Sequence, residues 1–586
     1  MDQSPELLRN IFTIISKYLD VHQKLIDKQS KKNSSFSNDP LQLNKLFFKF
    51  FNKIFSDPDT ILKYQISFFK GQLATIEAIF SNQTSQNLKT DKRFKDNIWQ
   101  EHCIFSWLKE AYFTYSKWID SIIAEFPKDD FSVIEFRRLN FIIKQFVDAI
   151  SPSNFPATNP EVIRAFFDTA GESLIRGLDN LIKDIEHSKQ SFLIQTNDNS
   201  KFDLGVNIAI TEGKVVFQNK IIQLIHYKPL RDKHYSVPIL IVSPFINKYY
   251  IMDLQPENSL VKWLLEQNYN VFLISWVNPD ESLSEKNFSD YMLEGPIAAL
   301  DYLSEKLNIH QVNTLGYCIG GTLLASTLGY MKAINDKRIK SASFLTTLID
   351  FAEAGDLSIF VDDHFVNEVS HYLEESGGFL DGSDMSATFN LLRSNDMIWP
   401  FYINNYLLGK EPFPFNLLYW NSDSIRMPKN LHLFYLKNMY KDNLLKAPGG
   451  ITLNNQAIDI SKVDIPCFAM AAKGDHIVPW QNAFNSAKLF SGPVTFALAE
   501  SGHVAGVINH PDRNKYCYWI NQDNFKQFKN SEEWLSNVKE QSGSWWIYWN
   551  EWAKEHSGEL VLSKAPEVVN DNIIESAPGS YVKVKY

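Results

Sequence analysis

The sequence predicts an α/β fold with a mostly parallel sheet, preceded by a helical domain, and three observations support this prediction. Apolar residues before about residue 195 recur every three or four positions, as in the run from Leu43 to Phe55, which is typical of amphipathic helices. From residue 237 onward, strand-length apolar runs alternate with helical segments at the spacing of βαβ units. No apolar run reaches the roughly 18 residues that a membrane-spanning helix needs. We therefore predict a helical domain over residues 1–200, an α/β domain over 201–586 and no integral membrane segment.

The α/β domain is predicted to form a doubly wound sheet that is interrupted once, late in the chain. Residues 351–455 are aromatic and loop-rich and lack the strand–helix alternation. An insertion between late strands of such a sheet is a natural place for a cap over an active site. A last helix around Trp545–Trp552 is expected to pack on the body of the domain. Strands are predicted at 215–217, 221–227, 238–243, 270–276, 311–317, 341–348, 465–471 and 493–499, and helices at 258–267, 296–307 and 320–334.

Composition excludes several classes of protein. The 586 residues include 58 Lys and Arg against 68 Asp and Glu, a formal net charge of −10, which disfavours a nucleic-acid binder that relies on surplus cations. The four cysteines form no CxxC pair, so neither a disulfide framework nor a metal site is predicted. The segment Met1–Glu6 has neither a basic leader nor a long apolar stretch, which makes the cytoplasm the expected compartment.

The segment 316–321 reads Gly-Tyr-Cys-Ile-Gly-Gly and carries the main chemical signal. It lies between a predicted strand and a predicted helix and matches the G-x-S-x-G nucleophile elbow of α/β-hydrolases, with Cys318 in place of serine. The glycines allow neighbouring backbone to pass closely, so the nucleophile stands exposed above the sheet. The helix N-terminus favours a thiolate, and the backbone N–H of Ile319 is placed to donate to an oxyanion. The predicted fold is therefore an α/β-hydrolase fold with a cap insertion.

An acid and a base follow the elbow in the chain order of this fold. Asp475 lies in the loop after strand 465–471, and His503 lies in the loop after strand 493–499. Asp350, at the end of strand 341–348, is a second position where such folds can place the acid. His476 and His510 compete for the role of base, although His476 directly abuts the acid and His510 lies beyond the loop. We predict Cys318, Asp475 and His503 as the catalytic set.

A cysteine nucleophile favours acyl transfer over simple hydrolysis. Attack by a thiolate on a thioester gives another thioester of similar energy, so the acyl group stays activated for a second transfer. A hydroxyl acceptor needs a general base, a task for His503 assisted by Asp475. The second oxyanion donor is expected from the loop 244–248, with Ile246 as the candidate, because this loop borders the elbow in the fold.

Several longer motifs accompany the elbow, the acid and the base. They are Asp-His-Ile-Val-Pro-Trp at 475–480, Ser-Gly-His-Val-Ala-Gly-Val-Ile-Asn at 501–509, Gly-Lys-Val-Val-Phe-Gln-Asn at 213–219, Asn-Lys-Tyr-Tyr-Ile at 247–251, Asn-Asn-Tyr-Leu-Leu-Gly-Lys at 404–410, Leu-Tyr-Trp-Asn-Ser-Asp-Ser-Ile-Arg-Met-Pro at 418–428 and Pro-Gly-Ser-Tyr-Val-Lys at 578–583. With these motifs and the elbow, the chain resembles a known family, the class I polyhydroxyalkanoate synthases. The similarity runs from about residue 200 to the C-terminus, whereas the first third is similar only in length and helical character.

The resemblance implies an enzyme that polymerises short-chain (R)-3-hydroxyacyl-CoA, such as 3-hydroxybutyryl-CoA, into polyester. Coenzyme A would be the leaving group of the substrate, and no cofactor is expected. The family's properties imply a homodimer that associates with cytoplasmic polyester granules, with the N-terminal domain linked to both. Two other readings stay open: a cysteine-elbow hydrolase similar to thioesterases or dienelactone hydrolases, and a granule-associated binding protein without activity, against which the complete catalytic set argues.

Overall fold

A computed structural model describes residues 4–31, 39–81, 91–188, 192–520, 525–570 and 572–585. The chain divides into two units, one formed by Met1–Asp198 with Ser386–Phe413 and the other by Asn199–Met385 with Pro414–Tyr586. Residues 386–413, which the sequence analysis assigned to the cap insertion, thus belong with the N-terminal helices. No helix among the described residues is both long and apolar enough to cross a bilayer.

The first unit is helical, as the periodicity of its apolar residues indicates. Its first helix lies along its eighth, where Lys24 pairs with Glu186 at 2.7 Å and Lys17 pairs with Asp179. The eighth helix also approaches the inserted segment so closely at Gly177 that any Cβ there would stand 1.9 Å from the carbonyl oxygen of Tyr406. The helices are α1 (Ser4–Lys31), α2 (Leu43–Phe55), α3 (Pro58–Phe80), α4 (Ile98–Glu101), α5 (Cys103–Glu125), α6 (Val133–Ala149), α7 (Pro160–Asp168) and α8 (Glu172–His187).

The second unit is built on a mixed sheet of eleven strands among the residues described, which confirms the predicted fold class. The strands are β1 (Gly213–Gln218), β2 (Ile222–Tyr227), β3 (Ile239–Val242), β4 (Val271–Trp276), β5 (Val312–Tyr317), β6 (Ile339–Leu345), β7 (Cys467–Ala472), β8 (Val494–Ala499), β9 (Cys517–Ile520), β10 (Lys539–Ser542) and β11 (Glu575–Ser576). In space they follow the order β10-β9-β8-β7-β6-β5-β3-β4-β2-β1-β11, with the six strands from β8 to β4 parallel and the outer ones antiparallel.

Both faces of this sheet are covered, which explains why its inner strands are apolar without alternation. In β3, Leu240 and Val242 pack into a core on one face, whereas Ile239 and Ile241 pack into a core on the other. Cys318 packs against both cores, because it leaves the sheet at the end of a central strand. A parallel strand that is buried on both sides needs such a continuous apolar run.

Helices flank the sheet and also fill the insertion, so the expectation of a loop-rich segment at 351–455 was wrong. Two helices of the insertion have 13 and 11 residues, whereas most of its other helical pieces have one or two turns, which is too short to display a clear helical period. Helices or helical turns of the insertion are Asp363–Glu375, Gly382–Leu392, Ser394–Met397, Trp399–Phe401, Tyr402–Leu407, Asn416–Ser422, Lys429–Phe434 and Tyr435–Lys441. Others in the second unit are Leu260–Glu266, Phe288–Met292, Ala298–Leu307, Ile319–Ala333, Trp480–Ala487, Ser531–Ser536, Trp546–Lys554 and Pro566–Val569.

Candidate active site

Cys318 occupies a strained turn between β5 and the helix Ile319–Ala333. Its φ of 54° and ψ of −126° lie in a region that L-residues rarely adopt, and this conformation lifts the side chain away from the turn. Close approach of the backbone explains the glycines on either side. A Cβ on Gly316 would stand 2.6 Å from the Cα of Gly321, and a Cβ on Gly320 would stand 2.4 Å from the carbonyl oxygen of Val242. The elbow predicted from the sequence is thus formed in the structure.

The structure brings Asp475 and His503 into contact. Nδ1 of His503 lies 2.6 Å from Oδ2 of Asp475, and the Asp475 side chain is fully buried. Because a carboxylate only accepts hydrogen bonds, Nδ1 carries the hydrogen and Nε2 is the ring nitrogen left to take a proton. Oδ1 of Asp475 accepts from the backbone N–H of Ile477 at 2.8 Å and of Val478 at 2.9 Å, which fixes the carboxylate toward the histidine.

The two loops that carry these residues are tied together by their backbones. The N–H of Gly474 donates to the carbonyl of Ser501 at 2.7 Å, one residue before Asp475 and two before His503. The hydroxyl of Tyr317 donates to the His503 carbonyl at 3.3 Å, and its ring stacks on the imidazole with centroids 5.5 Å apart. The residue before the nucleophile therefore also positions the histidine.

The charges around His503 favour its protonated form. Burial alone would lower the pKa of His503, but the charges of Asp475 and Cys318, together with hydrogen bonds to both, raise this pKa well above its usual 6.5. The raised pKa favours a protonated His503 beside the Cys318 sulfur, and a cationic neighbour of this kind activates a cysteine nucleophile. The three predicted residues thus form one electrostatically coupled group.

Two predicted oxyanion donors are placed differently by the fold. Ile319 is the first residue of the helix that follows the elbow, so its N–H has no partner within that helix. This N–H lies at the positive end of the helix dipole, which favours a negative charge beside it. Ile246 lies in the loop that follows β3, the neighbour of β5 in the sheet. Its carbonyl accepts from the N–H of Ile425 at 3.3 Å, and its role as a donor stays a prediction.

The alternative acid, Asp350, has other partners. Its Oδ1 accepts from Nδ2 of Asn443 at 2.8 Å and from Nζ of Lys446 at 3.2 Å. Both partners come from the end of the insertion. Asp350 therefore anchors the insertion at its base, whereas the carboxylate that contacts His503 is Asp475.

Of the two alternative bases, His510 has a different partner. Nδ1 of His510 accepts the backbone N–H of Asp512 at 3.2 Å and caps a short turn there. His476 follows the acid directly, and its carbonyl oxygen packs against Gly355, where a Cβ would stand 2.5 Å away. In the part of the chain that the structure describes, no group of three or more His, Cys, Asp or Glu side chains is arranged to hold a metal ion.

Sequence reasoning missed two buried tyrosines of the insertion, Tyr435 and Tyr440. Burial raises the pKa of both phenols, and the charge of Cys318 contributes to this rise. Their rings lie 5.7 Å apart and both pack on Phe351, at 5.8 and 5.2 Å. The aromatic richness of the insertion was the available signal, but it did not distinguish these residues from the others.

Comparison with known proteins identifies the family. A family model described as "Poly-beta-hydroxybutyrate polymerase (PhaC) N-terminus" matches residues 90–264, and one for the alpha/beta hydrolase fold matches residues 238–509. A Poly(3-hydroxyalkanoate) polymerase subunit PhaC from Rhizobium etli is 41% identical over 494 residues, 84% of this chain and 77% of the relative. Proteins of the same name from Rhizobium meliloti and Cupriavidus necator are 39% and 38% identical, over 95% and 84% of this chain and 91% and 83% of theirs. The chain therefore belongs to the poly(3-hydroxyalkanoate) polymerase family, with the α/β-hydrolase fold in its second unit.

Proposed function

We propose that the chain polymerises 3-hydroxyacyl-CoA thioesters into a polyester and releases coenzyme A through an acyl intermediate on Cys318. The observation that carries this proposal is a thiol at a strained elbow, coupled to a histidine whose Nδ1–H is held by a buried carboxylate. The names of the relatives support the substrate class. The description of the matching family model favours short monomers such as 3-hydroxybutyryl-CoA.

The first step transfers the acyl group from coenzyme A to the enzyme. His503 holds the proton of Cys318, and the thiolate attacks the thioester carbonyl. The N–H of Ile319, with Ile246 as the second donor, stabilises the negative charge that forms on the carbonyl oxygen. The bond from the carbonyl carbon to the sulfur of coenzyme A then breaks, and the leaving thiolate takes the proton from His503. The product is a thioester on Cys318, so the acyl group keeps its activation.

The second step extends the chain. The 3-hydroxyl of an incoming monomer gives its proton to Nε2 of His503 while its oxygen attacks the thioester on Cys318. The C–S bond breaks, and the Cys318 thiolate recovers the proton from His503. The new ester is still a coenzyme A thioester at its other end and returns to Cys318 by a repeat of the first step. Asp475 stabilises the imidazolium that forms during this attack.

Product analysis tests the proposal directly. Purified protein is incubated with 3-hydroxybutyryl-CoA, free thiol is measured, and the acyl product is identified by mass spectrometry. We expect oligoesters, with one coenzyme A released per monomer incorporated. Free 3-hydroxybutyric acid as the sole product would mean that water is the acceptor and would replace the polymerase by a hydrolase on the same scaffold. Absence of thiol release would contradict both enzymatic readings.

We also propose that the chain works as a homodimer at the surface of cytoplasmic polyester granules. Exposed large apolar side chains on each of the first three helices support this proposal, since exposed apolar surface often serves in association. They include Phe12 at 73% exposure, Phe48 at 69% and Phe69 at 64%. Sedimentation measures the oligomer, and partition onto purified granules measures the association. A monomer that stays in the supernatant would contradict the proposal.

A further inference from the structure

The loop 244–248 is held from two directions by parts of the chain that are distant in sequence. The carbonyl of Ile246 accepts from the N–H of Ile425 at 3.3 Å, and the carbonyl of Lys248 accepts from the indole N–H of Trp420 at 2.7 Å. Between these two contacts, the backbones of Asn247 and Ser424 pair as an antiparallel bridge, so the loop is held along one side. The side chain of Lys248 supplies the other anchor.

Lys248 buries its ammonium group completely and satisfies all three of its donors. The side chain is 1% exposed. Nζ donates to Oδ1 of Asp423 at 2.9 Å, to the carbonyl of Val582 at 2.6 Å and to the carbonyl of Val584 at 2.9 Å. An ammonium group has three hydrogens, so these contacts use its full capacity. One side chain therefore joins the loop after β3, the segment before Ile425 and the segment 582–584.

Both oxygens of the partner carboxylate also have a partner. Oδ2 of Asp423 accepts from the hydroxyl of Tyr250 at 2.9 Å, and the Asp423 side chain is only 9% exposed. Burial lowers the pKa of Lys248, and the neighbouring charge of Asp423 opposes that shift. A buried ion pair adds little net stability compared with apolar residues of the same size. We therefore expect this ion pair to fix the positions of the segments that it joins. The geometry that it fixes is that of the loop bearing Ile246.

We propose that Lys248 and Asp423 are positioning residues that hold the Ile246 N–H at the oxyanion site, and that the segment 582–584 is part of this clamp. The elbow helix borders the start of the same loop, since Gly320 lies against the carbonyls of Val242 and Ser243. A displacement of the loop would move the second oxyanion donor and leave the nucleophile and its histidine in place. The inference rests on the proposed function only in that acylation of Cys318 uses this oxyanion site.

Two reactions of Cys318 separate a positioning role from a merely structural one. Acylation by a thioester or ester creates an oxyanion, whereas alkylation by iodoacetamide consumes the same thiolate without one. The variant Lys248→Met with Asp423→Asn removes both charges together and leaves no buried unpaired charge. Loss of one oxyanion donor lowers a rate by about 10²–10³-fold. We expect acylation by 3-hydroxybutyryl-CoA to fall by roughly 100-fold, with alkylation within about twofold of wild type.

A matched control is the exposed ion pair of Lys332 with Asp464, which joins at 2.7 Å on the surface of the same unit. Lys332→Met with Asp464→Asn makes the same chemical change and should alter neither reaction. A chain that ends at residue 581 lacks both carbonyl partners of Lys248, whereas a chain that ends at 584 keeps them. The shorter chain should lose acylation selectively, and the longer one should match wild type.

Equal losses of acylation and alkylation in the double variant would overturn the inference, because the defect would then be general. Unchanged acylation would overturn it as well. If the double variant does not fold, Tyr250→Phe replaces it, because this substitution removes one hydrogen bond from Asp423. We expect acylation to fall a fewfold while alkylation stays unchanged. If acylation does not fall selectively, the result counts against the clamp. If wild-type protein is not acylated by 3-hydroxybutyryl-CoA, the proposed function fails, and acylation by p-nitrophenyl acetate still decides the role of the clamp.

Discussion

Asp475→Asn tests the division of labour in the site more sharply than removal of the nucleophile. The asparagine keeps an oxygen for the backbone N–H groups of Ile477 and Val478, which lie 2.8 and 2.9 Å from Oδ1, so the loop should hold its shape. It loses the charge that lies 2.6 Å from Nδ1 of His503. The variant therefore leaves the thiol and histidine in place and weakens the histidine as a base.

The size of the effect follows from the burial of this contact. A hydrogen bond to a charged group contributes about 1.5–3 kcal/mol net, which corresponds to roughly 10- to 150-fold in rate. Chain extension should take the full loss, because a hydroxyl acceptor keeps its proton until a base removes it. First acylation should lose roughly tenfold or less, because a thiol gives up its proton much more readily than a hydroxyl does. Acyl-enzyme should therefore accumulate in the variant.

Rapid-quench mixing with labelled 3-hydroxybutyryl-CoA gives the two rates, and intact-mass analysis counts acyl groups on the protein. Asp512→Asn is the matched control, since Asp512 lies 3.7 Å from His510 but its side chain is 92% exposed. That control should behave as wild type. Equal losses in acylation and extension, or no build-up of acyl-enzyme, would refute the assigned role of Asp475.

Three further predictions address the elbow, the histidine and the apolar surface. Gly320→Ala puts a Cβ 2.4 Å from a carbonyl oxygen. Acylation, measured by stopped flow, should therefore fall at least tenfold, and the free energy of unfolding, measured by urea titration, should fall by about 1–3 kcal/mol. The raised pKa of His503 adds stability that is fully present below pH 6.5 and is lost as the pH rises through the folded-state pKa. The stability difference between wild type and His503→Gln should therefore shrink above pH 6.5, which urea titration at several pH values measures. A triple variant should lower partition onto polyester granules at least tenfold: Phe12→Ser with Phe48→Ser and Phe69→Ser. Burying each phenylalanine contributes about 1.5–3 kcal/mol, which the variant loses. Coenzyme A release in solution should stay unchanged.

Each of these predictions has a contrary outcome. Normal acylation by Gly320→Ala would mean that the elbow tolerates a side chain at the close approach. A stability difference that grows above pH 6.5 would mean that the histidine is held neutral in the fold. Unchanged granule partition of the triple variant would move the binding surface away from the first three helices.

The strands and the elbow could be predicted because their signals are local. Strand-length apolar runs and a glycine-flanked cysteine between strand and helix need no knowledge of distant contacts. Boundaries were less accurate: the strand predicted at 341–348 runs from Ile339 to Leu345. It ends early because Thr346 adopts a φ of 41°, a left-handed conformation that a β-branched residue rarely takes. Nothing in the sequence marks that turn.

Features that depend on contacts between distant segments could not be predicted. Residues 386–413 belong to the helical unit because Gly177 lets the chain at Tyr406 approach, and no local pattern links these positions. The ion pair of Lys248 with Asp423 joins residues far apart in the chain. Chain order sufficed for the contact between Asp475 and His503, because the fold fixes where the loops after its last strands meet.

If Cys318 carries the growing polyester, the acyl group can be located on this residue during the reaction. Protein quenched during reaction with 3-hydroxybutyryl-CoA is digested at low pH, and the peptide containing Cys318 is analysed by mass spectrometry. We expect a ladder of that peptide carrying successive hydroxybutyryl units, and no such ladder from Cys318→Ala. An unmodified Cys318 peptide in a sample that forms polymer, or acyl groups carried only on another residue, would contradict it.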